Sequence, residues 1–72
     1  MKTINITMFK EYRIKRKLTQ KQLASLTDLD TRTIQRIENR ERIPSIESLS
    51  KIVKVLEISD EDIINYIKNW LY

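Results

Sequence analysis

An all-α fold, five short helices around one core with no sheet of consequence, is what this sequence predicts. Three observations point there. Glycine is absent and proline occurs once in 72 residues, which favours helices over a turn-rich sheet. Apolar residues recur at i, i+3 and i+4 through most of the chain. Thr19, Asp30, Ser45 and Ser59 each stand just ahead of such a segment, where N-caps belong. A chain of this length is expected to form one domain, residues 1–72. Such a domain buries only about 60% of its extended surface, so its margin of stability is small.

Residues 1–7 place Ile4 and Ile6 at alternate positions. They read as a short extended arm or lead-in, to which no contact is assigned. The first helix is expected from about Met8 to Lys17, with Phe9, Tyr12 and Arg13 along one side. Arg16 and Lys17 at its end suit the helix dipole or a phosphate.

The stretch from Thr19 to Asn39 reads as two short helices joined by a turn of a few residues, a helix-turn-helix. Thr19 and Gln22 form a capping-box pair ahead of a helix from about Lys21 to Leu26. Leu23 and Ala24 face inward, and Ala24 is small enough to let the next helix cross closely. The first amides of this helix have no partner within it, and the dipole is positive there. Thr19, Gln20 and Lys21 are therefore candidates to hold a phosphate.

Asp30 is the expected N-cap of the next helix. On a wheel with Thr31 at 0° and about 100° per residue, Gln35, Asn39, Arg32 and Arg36 follow within about 140°. Thr33, Ile34, Ile37 and Glu38 fill the opposite arc. Arg and Gln are the side chains that bond guanine and adenine edges, and threonine can meet a thymine methyl. Thr31, Arg32, Gln35 and Arg36 are thus candidates to read bases, with Asn39, Arg40 and Arg42 as candidates for the sugar-phosphate backbone.

Pro44 stops that register. Ser45 caps a helix from about Ile46 to Leu56, whose apolar set is Ile46, Leu49, Ile52, Val53 and Leu56. Ser59 caps the last helix, about residues 60–71. Asp60, Glu61 and Asp62 favour the positive end of its dipole, which accounts for this acidic cluster more simply than a metal would. No metal is assigned. Ile63, Ile64, Tyr66, Ile67, Trp70 and Leu71 fall within nine residues. One helix face cannot bury all six in so small a core. Ile63, Tyr66, Ile67, Trp70 and Leu71 are the candidate dimer interface, since exposed apolar patches with aromatics mark partner surfaces.

Composition narrows the function. Cysteine and histidine are both absent, which removes disulfides, thiolate metal sites and the commonest general base. Together with the absence of any glycine loop, this argues against an enzyme. No apolar run approaches the ~20 residues that span a bilayer, and the start of the chain is unlike a signal peptide. A cytoplasmic protein is expected. The net charge of +4 is uneven: residues 1–42 hold 11 Lys/Arg against 5 Asp/Glu, and residues 43–72 hold 3 against 5. A positive half of this kind suits a polyanion.

LTQKQLASLTDLDTRTIQRIEN followed by RERIPSIESLSKIVKVLEIS resembles the phage repressor and Cro type of helix-turn-helix. The matching residues are Leu18-Thr19-Gln20, Leu23-Ala24, Leu29, Ile34, Arg36-Ile37-Glu38-Asn39, Pro44-Ser45 and Leu49, within roughly residues 9 to 60. The resemblance implies a lambda-repressor-like DNA-binding domain with a central helix-turn-helix. It implies sequence-specific binding of double-stranded DNA by a small repressor or Cro-like regulator in a bacterium or phage. A homodimer on an inverted-repeat operator is expected, with no cofactor and no small-molecule ligand. It further implies an ion pair between Arg13 and Glu38. Two departures fall at turns: Asp28 and Arg40 stand where the family has glycine; Asp tolerates the left-handed conformation, and Arg there costs about 1 kcal/mol unless the loop adjusts. Thr27 occupies a usually apolar position, which leaves Leu26 to serve the core. The alternatives are an antitoxin or anti-repressor type of protein-interaction module, or the DNA-binding domain of a larger sensor regulator.

Overall fold

A computed structural model describes residues 7–71, the side chains of residues 70 and 71 excepted. The described residues form five helices and no strand: α1 Met8–Lys15, α2 Gln20–Thr27, α3 Thr31–Glu38, α4 Ile46–Leu56 and α5 Asp60–Leu71. Helices this short are marginal in water when isolated, so packing holds them. Phe9 of α1, Leu23 and Ala24 of α2, Ile34 and Ile37 of α3, Ile52 and Leu56 of α4, and Ile58 before α5 form the buried core. The closest packing is of α2 against α3 and α4, across a seam where Ala24 is buried.

Four of the helix starts carry a side-chain cap. Thr7 accepts from the Lys10 amide, Thr19 from Gln22, Ser45 from Ser48 and Ser59 from Asp62. Gln22 Oε1 also accepts from the Thr19 amide at 2.8 Å, which completes the capping box. Thr7 therefore belongs to α1 as its cap and is not part of an idle arm; residues 1–6 lie outside the described residues. Asp30 holds the N-cap position of α3, but its side chain makes no capping hydrogen bond.

Helix ends depart further from expectation. α1 stops at Lys15, not Lys17, because Lys17 is left-handed at φ 58° and Leu18 N–H turns back to the Arg13 carbonyl. α2 is longer by one residue at each end than expected. The chain is left-handed at Lys17, Asp28, Arg40 and Glu57, just beyond α1, α2, α3 and α4. Each does the work that glycine usually does at a helix C-terminus, at about 1 kcal/mol of steric cost.

Two expectations about burial are corrected. Thr27, not Leu26, faces the core: Thr27 is 2% exposed and Leu26 60%. The Thr27 hydroxyl donates back to the Leu23 and Ala24 carbonyls, so its burial leaves no unpaired polar atom. Ile46 is 81% exposed and lies off the core stripe of α4. Ile63 and Tyr66 are half-buried against the core, with the Tyr66 ring set edge-on to Phe9 at 4.9 Å between centroids. Ile64 and Ile67 are exposed on α5. The side chains of Trp70 and Leu71 lie outside the described residues.

The start of α5 is pinned to α1 by Tyr12. Its hydroxyl donates to Asp62 Oδ2 at 2.6 Å and accepts from the Ser59 amide. Asp62, read from the sequence only as a favourable charge at a helix start, thus has a specific partner fifty residues away.

Candidate nucleic-acid interface

The two faces of α3 separate cleanly. Ile34, Ile37 and Glu38 are buried, while Arg32, Gln35, Arg36 and Asn39 are exposed and Thr31 is half-buried. Buried apolar anchors on one side hold a row of long polar side chains open to solvent on the other. Arg36 lies 3.9 Å from Glu41, with both groups well exposed. Exposed pairs of this kind contribute little, so Arg36 is free to exchange Glu41 for another acceptor.

The start of α2 lies beside this row. Thr19 and Lys21 are exposed. Thr19 occupies the Gln22 amide, which leaves the Gln20 and Lys21 amides without an acceptor inside the helix. An anion meets both of them and the positive end of the dipole. Arg40 and Arg42 are exposed after the end of α3. Arg40 also lines a groove of about 400 Å³ between α1 and α5, with Phe9, Ile37 and Tyr66.

Behind these surfaces the structure brings Arg13 and Glu38 together. Arg13 Nε donates to Glu38 Oε2 at 2.7 Å and Nη2 to Oε1 at 3.1 Å. The side chains are 10% and 2% exposed. The third guanidinium nitrogen, Nη1, donates to the Leu18 carbonyl at 2.8 Å. A planar, twofold contact of this type is the geometry in which arginine serves a buried carboxylate best.

Two residues have roles that their local sequence does not reveal. The Gln20 side chain, a candidate for phosphate, donates from Nε2 to Glu38 Oε1 at 2.9 Å. Arg16 donates to the Leu56 carbonyl at 3.1 Å and pairs with Glu57 at 2.9 Å. It therefore closes the end of α4 against α1, and the dipole it serves is not that of its own helix. Both contacts cross long sequence separations, so spacing gives no signal for them.

No helix among the described residues is long and apolar enough to cross a membrane. The chain matches a family model described as helix-turn-helix over residues 9–63. No curated protein and no solved structure gave a match.

Proposed function

The chain belongs to the phage repressor and Cro type of helix-turn-helix family, and from that premise we propose that this DNA-binding protein is a small repressor or Cro-like regulator that occupies an operator sequence. The observation that carries this reading is α3, where exposed Arg32, Gln35 and Arg36 are backed by buried Ile34, Ile37 and Glu38. Residues 1–72 act as one domain, in the cytoplasm of a bacterium or of a phage-infected cell. Occupancy itself is the mechanism: α3 enters the major groove, and the start of α2 with Lys21, Arg40 and Arg42 grips phosphates on either side. No catalytic step, cofactor or small-molecule ligand is needed.

Selection from a random duplex pool tests this reading. Wild-type protein should enrich a defined site. Arg36→Ala should then lose about 1–3 kcal/mol on that site and relax the preference at one base pair. Arg36 is chosen because it is half-exposed and only loosely paired with Glu41. An equal loss on every duplex would make Arg36 a phosphate contact and remove it from the base-reading set.

The second copy needed for an inverted repeat docks, in this proposal, through α5. Ile64 and Ile67 are exposed there, and the six apolar residues of this helix exceed what one face buries. A two-fold dimer places the two reading helices about 34 Å apart, in successive major grooves. Ile67→Asp should shift sedimentation from dimer to monomer at micromolar concentration. A wild-type protein that is monomeric at every concentration would sink the α5 interface. A stable complex with a different protein, coupled to weak DNA binding, would favour the antitoxin or anti-repressor reading instead.

A further inference from the structure

Glu38 is the last residue of α3, and its carboxylate is nearly sealed from solvent at 2% exposure. It accepts from two nitrogens of Arg13 in α1. It also accepts, at 2.9 Å, from Nε2 of Gln20. Gln20 is the first residue of α2, at the end whose free amides face an incoming phosphate in the reading above. One buried carboxylate therefore ties together α1, the anion-facing end of α2 and the end of α3.

We propose that Gln20 is a positioning residue, which registers the phosphate-gripping end of α2 against the base-reading helix through its bond to Glu38. The physical reason lies in the different tolerances of the two kinds of contact. Phosphate contacts are forgiving in angle and fix where the protein sits on the duplex. Contacts of Arg32, Gln35 or Arg36 with base edges are directional and need α3 at a set depth and rotation. If the end of α2 drifts relative to α3, phosphates are still held but base edges are met in poor geometry. A hydrogen bond to an ionised carboxylate is among the stronger neutral-to-charged contacts, so it resists that drift. Gln20 thereby governs discrimination at base pairs that it does not touch.

This inference rests on the DNA-binding reading, and the test separates the two. The full chain is assayed on its selected duplex and on a scrambled duplex of the same length. Gln20→Met keeps size and helix preference but cannot donate. The ratio of the two affinities should fall about tenfold, the scale of one hydrogen bond to a charged group. Gln20→Lys restores a donor for Glu38 and should keep the ratio within about threefold of wild type. Circular dichroism establishes that each variant is folded at the assay temperature. If Gln20→Met is not, Gln20→Ser, too short to reach Glu38, takes its place with the same expected result. An equal loss on both duplexes, or an unchanged ratio, overturns the positioning role while leaving DNA binding intact. A wild-type protein that enriches no site overturns both.

Discussion

Glu38→Ala should destabilise the protein by about 3–5 kcal/mol, because it strands a buried guanidinium. Arg13 cannot escape easily to solvent. Its side chain is 10% exposed, and Nη1 is held by the Leu18 carbonyl in the turn between α1 and α2. Gln20 loses its acceptor at the same time. For a domain of 72 residues the whole stability is only about 4–11 kcal/mol, so this single change removes much of it. Thermal melts followed by circular dichroism should show a fall of about 15 °C or more, since each kcal/mol shifts Tm by about 4–8 °C at this size. A control identifies the cause. Arg13→Met combined with Glu38→Leu removes both charges and fills the space, and it should melt well above Glu38→Ala. If Glu38→Ala melts with the wild type, the pair contributes nothing and the tie between α1 and α3 must lie elsewhere.

Raising salt from about 50 to 200 mM should weaken DNA binding by about 10³-fold, through the counterions that return to the duplex. The structure narrows which cations take part. Arg13 is buried with Glu38, and Arg16 is committed to Leu56 and Glu57. Lys21, Arg32, Arg36, Arg40 and Arg42 remain exposed on and around the helix-turn-helix. With Lys21, Arg40 and Arg42 of each protomer at phosphates, a dimer should give a log–log slope of about −5. Anisotropy titrations of a labelled duplex at several salt concentrations measure it directly. A slope near −2 would mean that the basic half of the chain does not engage the backbone.

Much of the architecture was legible in the sequence because it depends on contacts one turn apart. The caps at Thr19, Ser45 and Ser59 bond the amide three residues on, so the side chain and its partner sit in the same short string. The polar face of α3 is equally local, since 3.6 residues per turn place Arg32 and Arg36 together whatever surrounds them. The Arg13–Glu38 pair is a long-range contact, and it was legible only through resemblance to a family.

Helix ends were harder, for a physical reason particular to this chain. Glycine normally marks the left-handed residue after a helix, and this sequence has none. Lys17, Asp28, Arg40 and Glu57 take that conformation instead, and only at Asp28 and Arg40 did the resemblance point to it. Nothing about Lys17 or Glu57 alone distinguishes them from helical residues, because the surrounding packing imposes the strain.

The sequence by itself determined the class of fold, the starts of the helices and the face that α3 shows to solvent, since these follow from periodicity and short-range hydrogen bonds. Helical spacing puts Thr27, not Leu26, in line with Leu23 and Ala24, and its hydroxyl is satisfied by its own helix; only a preference for the apolar side chain favoured Leu26. Tertiary structure alone decided that Ile46 stays outside the core. It also decided that Gln20 serves Glu38 and that Tyr12 holds the start of α5. Those partners meet only once the helices have packed, and no local rule encodes a hydrogen bond whose two ends lie in different helices.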